Sequence, residues 1–333
     1  MVTFYRRVLA ALKTYVRGIA LEGEEPLFQV SPLMVFFATL LGLAFVLATT
    51  QFIWNCHFLG VMPLLLPLFI LGQSAAWYLY MVEHHAVHDA IALQAWVNSL
   101  VAQVASIVGL FIPPAFYAPE HNQEHHNSQK LAYIGDPDYR WLARLGFYPG
   151  RSLEEYWRQL WVTLFDPCYY LTFFWKRVYL NFWAAPIAHR FAAFLWWGFV
   201  IAATITFHLW AALVMYLLVI SVGYQFSALL QTLSEHRWGF NKAPRYKTFP
   251  RLLPVDEKPH LFLLFLYWRM TVLVTDLAQH QVHHYKAKNL DWPMVGYSRF
   301  ARRDLPAAVW GIRAHFNEAF RSLAEATPPD SEA

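Results

Sequence analysis

The sequence predicts an all-α polytopic membrane protein, with four transmembrane helices in two hairpins and a helical cap on the cytoplasmic side. Three observations carry that expectation. Only 14% of the 333 residues are charged and 57% are hydrophobic, whereas an ordinary soluble domain has about 25% charged residues. Four apolar runs, Leu33–Trp54, Phe58–Val82, Phe191–Phe207 and Leu209–Leu230, approach or exceed the roughly 20 residues a helix needs to cross a bilayer. Lys and Arg avoid the tight turns within each pair of runs: four precede the first run, eight lie between Glu83 and Arg190, and fourteen follow Leu230. Cytoplasmic loops carry such an excess, which places both termini and the middle segment on that side.

Residues 1–32 read as an N-terminal amphipathic interfacial segment. Apolar side chains at Phe4, Tyr5, Val8, Leu9, Leu12, Tyr15 and Val16 alternate with Arg6, Arg7, Lys13 and Arg17, as on a helix lying in a membrane surface. The uninterrupted apolar core, Val8 to Leu12, is too short for a signal peptide and no small-residue cleavage site follows. Residues 33–323 read as one membrane domain. Within it, Trp96–Tyr117 ends in Pro113-Pro114 and Leu261–Val274 contains Arg269, so both are expected to be re-entrant or interfacial. The closing AEATPPDSEA, residues 324–333, has the composition of a disordered tail.

The remaining composition excludes several classes. Cys56 and Cys168 are the only cysteines and form no CxxC pair, which rules out a disulfide framework and a thiolate metal site. The net charge of +4 suits membrane orientation and anionic headgroups, with no nucleic-acid partner expected. The aromatic content, with 15 Trp and 18 Tyr, matches the belts at lipid–water interfaces.

Histidine is the unusual residue. In EHHAVHD, His84 and His88 stand at i, i+4 and share one face of a helix, while His85 points elsewhere. PEHNQEHHN repeats the spacing with His121 and His125 and adds His126. HQVHH offers His280, His283 and His284, and His236 follows the fourth apolar run in SEHRWGF. Neutral imidazole suits iron, zinc, copper and nickel, and nine such groups exceed the needs of one ion, so a two-metal site is expected. Asp89, Glu124, Glu235 and Asp276 stand nearby to accept the second ring N–H and orient the rings. His57, His189, His208, His260 and His315 stand alone and read as ordinary hydrogen-bonded residues.

The boxes HxxxH, HxxxHH and HxxHH, threaded through two membrane hairpins, resemble the integral-membrane fatty acid desaturase and hydroxylase superfamily over roughly Leu33 to Leu290. The resemblance implies a mushroom-like helical fold with an acyl tunnel. It also implies a di-iron centre ligated by His84, His88, His121, His125, His126, His280, His283 and His284, with His236 in the place of the histidine after the last crossing. Two positions depart from the family pattern: His85 replaces the usual Asp of box one, which here follows the box as Asp89, and Thr232 replaces an Asn.

That resemblance implies O2-dependent removal of hydrogen from a fatty acyl chain. Oxygen rebound to an alcohol is an alternative outcome on the same histidines. No HPGG sequence or cysteine cluster marks a fused electron carrier, so a separate donor of ferredoxin, rubredoxin or cytochrome b5 type is expected, with no tightly bound organic cofactor and with a bacterial inner membrane favoured. Arg237, Lys242, Arg245 and Lys247 either hold an anionic headgroup or, as the better reading of each, express the cytoplasmic basic bias. A non-catalytic metal or haem carrier is the competing class, although haem needs only one or two axial histidines. A zinc protease lacks its HExxH.

Overall fold

The computed structural model describes residues 2–18, 30–56, 59–127, 129–238, 251–274, 280, 284, 308–309 and 311–326. His57, Asp276, His283, Lys242, Arg245, Lys247 and the residues 327–333 of the expected tail lie outside them. The described chain is helical apart from a two-residue parallel pairing of β1 (Arg251–Leu252) with β2 (Ala308–Val309). It divides into two compact units, a spanning unit of Pro32–Ala118 and Pro167–Ala228, and a cluster unit of Met1–Ser31, Pro119–Asp166 and Leu229–Ala333.

Among the described residues, four helices are long and apolar enough to cross a membrane. They are α2 (Pro32–Asn55), α3 (Leu65–Val87, preceded by the 3-10 turn Leu59–Leu64), α9 (Ile187–Phe207), and the continuous stretch Trp210–Glu235. That last stretch consists of α10 (Trp210–Leu218), a π-helical turn Val219–Gly223, and α11 (Tyr224–Glu235). These match the four runs expected from composition. The turn between α9 and α10 is as tight as expected, with His208 in the left-handed region at φ 54°. Gln51 of α2 caps the second hairpin, its Oε1 accepting from Ala211 and Ala212 N–H at 3.1 and 3.2 Å. Those amides belong to the first turn of α10, where no intrahelical acceptor exists.

Small residues let the spans approach. A Cβ on Gly72 of α3 would stand 2.6 Å from Val219 and 3.3 Å from Val46, so the two helices flanking α3 pack directly on its backbone, as small residues permit between membrane helices.

Trp96–Tyr117, expected to be re-entrant or interfacial, is a sharply bent helix pair, the geometry of either a broken span or a re-entrant loop. α4 (Ala95–Gly109) stops at Leu110, which adopts φ 50°, and the chain bends by 111° into α5 (Pro114–Glu120). Carbonyls freed by such a stop are tolerated at membrane depth only when protein satisfies them. Here Trp197 Nε1 donates to Ile107 O at 3.2 Å, Tyr216 O–H to Val108 O, and Asn181 Nδ2 to Phe111 O at 2.7 Å. Asn181 is itself held by His189, which reaches Gln103 on its other nitrogen. His189 is thus the hydrogen-bonded structural residue its isolation suggested.

The loop after box one is fixed in the same manner. Buried Asn98 accepts from Ile91 and Ala92 N–H, both at 3.0 Å, and donates to Ala92 O at 2.8 Å. Asn98→Leu leaves those two amides unpaired and is expected to cost about 3 kcal/mol, read as a lower unfolding temperature in detergent.

In the cluster unit, α1 (Val2–Arg17) keeps Phe4, Tyr5, Val8, Leu9 and Leu12 exposed, while its last turns are tied down. Lys13 and Arg17 pair with Asp256 at 2.7 and 3.3 Å, and Arg269 of α12 (Phe262–Thr271) donates to Tyr15 O at 2.8 Å. Arg269, the residue that argued against a crossing at Leu261–Val274, is therefore a buried tie to α1. α7 (Leu153–Phe165) begins with a capping box of Ser152 and Glu155. It packs Tyr156 and Trp157 against Phe316 and Phe320 of α13 (Ile312–Ala324).

Candidate metal centre

Box two lies on a π-helical turn, His121–His125, and not on the α-helical face its spacing suggested. The wide turn is closed by His126 N–H donating to His121 O at 3.0 Å. One turn then spans five residues, which lays His121 against His126 as well as His125: the His121 and His126 Nε2 atoms are 3.1 Å apart, and the His121 and His125 rings stack at 5.0 Å. Single π turns of this kind gather at functional sites.

Four imidazoles converge in the cluster unit. His125, His236, His280 and His284 each offer a donor nitrogen, and all four nitrogens lie within 4.8 Å of one another. The Nε2 atoms of His125 and His236 are 3.4 Å apart, and those of His280 and His284 are 3.1 Å apart. Donors about 2.1 Å from a metal stand about 3 Å apart when adjacent on the coordination sphere and about 4.2 Å when opposite, so a small relaxation gathers these four around one ion. The first three are buried and His284 partly so. Lone pairs pointed at one another in this way are stabilised by a shared cation.

The local sequence explains each orientation. His236 follows directly on the last residue of α11, and Trp238 backs it edge to face at 5.0 Å with its own Nε1–H bonded to Thr232 O. Thr232, which replaces the family's Asn, thereby lends its backbone to the wall behind a histidine. Glu235 is buried between two rings, 3.3 Å from His280 Nε2 and 3.8 Å from His236 Nε2. Gln231, one turn back on α11, also donates to it.

His125 is oriented by a residue the sequence reading did not single out. Both oxygens of Asp136 face its Nδ1, at 3.0 and 3.1 Å, so Nδ1 donates and Nε2 is the nitrogen left for a metal. Asp136 is immobilised in turn, accepting from Ala132 N–H at 2.6 Å and, as N-cap of α6 (Pro137–Arg144), from Asp138 N–H at 2.9 Å. The string GDPDYR shows a helix cap with Pro at N1, and only the fold reveals that the capping carboxylate also serves a histidine.

Electrostatics separate the two ends of the cluster. Burial works against a charged His125, but facing Asp136, with Asp138 and Glu235 behind it, outweighs burial and carries its pKa up to about 10. Burial, and then the crowd of neighbouring imidazoles, hold His284 well below the ordinary histidine value. His284 is therefore a neutral donor, while an ion at His125 takes the place of its Nε2 proton.

Box one belongs to the spanning unit. His84 and His88 sit at the end of α3, both buried, with rings 5.2 Å apart. His84 Nδ1 is 2.8 Å from the hydroxyl of Tyr117, which lies 3.1 Å from that of Tyr80. With Nδ1–H donating to Tyr117, the Nε2 of His84 is the nitrogen that could face a metal. Tyr117, four residues before His121, was not singled out in the sequence. His85 is buried beside His84, its ring at 5.3 Å. Of the other carboxylates singled out, Glu124 pairs with Arg140 at 3.0 Å and Asp89 is exposed in the left-handed region. Isolated His315 is buried and His260 exposed.

Four helices long and apolar enough to cross a membrane, together with four convergent histidines that could hold a metal ion, define the class: a polytopic membrane protein with a candidate metal centre. The sequence model of the fatty acid desaturase family matches residues 59–316, which include every histidine box. The chain belongs to the fatty acid desaturase family and is an oxidoreductase of its desaturase and hydroxylase type. Neither a curated protein nor a solved structure matches it.

Proposed function

We propose that this chain is a membrane di-iron oxidoreductase that desaturates a fatty acyl chain with O2 and electrons from a separate donor. The observation that carries the reading is the convergence of His125, His236, His280 and His284 on one point within a fatty acid desaturase family member. All-imidazole donation leaves a bound ion strongly electrophilic and suits iron. In this reading those four hold one iron of the di-iron centre that the family resemblance implies. When bound, the iron pair supplies the activation of O2 for attack on an unactivated C–H bond. The protein's own contribution is to hold the rings. Asp136 fixes His125, Glu235 balances charge beside His236 and His280, and Tyr117 fixes His84. The distribution of Lys and Arg supports a cytoplasmic face for the site and for both termini.

The test is lipid and fatty-acid profiling of cells expressing the wild type or His284→Ala. Desaturation predicts a product lighter by two hydrogens that the variant does not make. A product heavier by one oxygen would make the chain a hydroxylase, and retained iron without any variant-dependent product would favour the metal-carrier reading.

A further inference from the structure

Arg177 stands out among the charged residues of the spanning unit. It lies on α8 (Pro167–Tyr179) and is 3% exposed. Its Nε donates to Phe173 O at 3.3 Å, one turn back on the same helix. Neither terminal nitrogen, Nη1 or Nη2, has a hydrogen-bond partner among the described residues, and no carboxylate there pairs with it. The guanidinium lies over the ring of Tyr224, 4.8 Å from its centroid. Among the described residues, the other ionisable group acting on it is Tyr169, whose hydroxyl donates to Gln225 O and accepts from Gln225 Nε2.

A buried cation without an anion is costly, and stacking on one ring recovers only part of that cost. Basic residues serving membrane orientation remain exposed or ion-paired, as Arg237 does with Glu318 at 3.5 Å. Arg177 does neither. Its open fork of N–H donors has the planar two-point geometry that matches a carboxylate or a phosphate.

The position of Arg177 adds a direction. Tyr224 packs on Tyr80 at 5.3 Å and on Phe111 at 4.7 Å, and Tyr80 lies 6.4 Å from His84. Two aromatic rings therefore separate the guanidinium from the first histidine of box one, all within the spanning unit.

We propose that Arg177 is the receptor for the anionic head of the substrate, a carboxylate or phosphate on an acyl chain, and so fixes which carbon is presented to the metal centre. This rests on the acyl-oxidising reading above for its role, but not for its detection. An anchor at the head means that the oxidised position is counted from the carboxyl end of the chain.

The test is equilibrium binding of radiolabelled palmitate, hexadecanol and palmitoyl lysophosphatidate to the purified protein in neutral-lipid nanodiscs, corrected for protein-free discs, with iron content measured alongside. One charge-assisted pair predicts that the wild type prefers palmitate or the lysophosphatidate over hexadecanol by at least about 10-fold. Preference for palmitate identifies a free carboxylate, and preference for the lysophosphatidate a lipid phosphate. Arg177→Gln is expected to erase the preference while leaving hexadecanol binding and iron unchanged, and Arg177→Lys to keep part of it. Equal binding of all three probes by the wild type overturns the proposal, whichever variants fold. Failure to bind iron sinks the di-iron reading and leaves the anion preference to be read independently.

Discussion

His236→Ala is expected to lower oxidised-lipid production by more than about 100-fold and to remove iron from the purified protein. Its ring is fully buried, its Nε2 lies 3.4 Å from that of His125, and it packs within 5.0 Å of the rings of both His280 and His284. Removing it deletes a donor nitrogen from the four-histidine set, and at a metal centre loss of even an orienting partner costs about 10- to 100-fold in affinity. Elemental analysis together with product quantification checks this, with exposed His260→Ala as the control that keeps both. Full iron content in His236→Ala would show that the four imidazoles do not hold the metal.

Asp136→Asn is expected to weaken iron binding about 10- to 100-fold while the cap of α6 is kept and the bond from Ala132 N–H is given up. The substitution separates two duties of one carboxylate. Asn caps a helix about as well as Asp, so α6 and its bond from Asp138 N–H are retained. The negative charge that holds His125 in its metal-binding tautomer is lost, however. Asp136→Ala removes the cap as well and is expected to lower stability by a further ~1 kcal/mol. Iron titration and thermal unfolding of the two variants read the duties apart. Equal iron affinity in the wild type and Asp136→Asn would show that Asp136 serves only as a cap.

The fold was legible in the sequence to the extent that it follows from one-dimensional quantities. Apolar length located all four spans, and Pro113-Pro114 and Arg269 marked the two segments that are not candidate crossings on their own. The histidines were legible because chemistry repeated them at helical spacing. The residues that aim them were hidden, because Asp136 and Tyr117 act through tertiary contacts that carry no periodicity. Glu124 looked better placed than Asp136 next to His125, yet it faces Arg140 across an exposed surface. The π-helical turn of box two was equally hidden, since HNQEHH reads as an ordinary α-helical face until His126 N–H is seen to bond five residues back.

The blunt end of α4 has a consequence for biogenesis. The carbonyls of Val108 at its end and Phe111 just beyond it take their donors from Tyr216 and Asn181, which the ribosome makes at least 70 residues later. While only the first hairpin has been inserted, that turn holds unpaid polar groups and must remain hydrated or chaperoned. Synthesis of the second hairpin completes it, so a chain truncated before α9 would be an early substrate for membrane quality control.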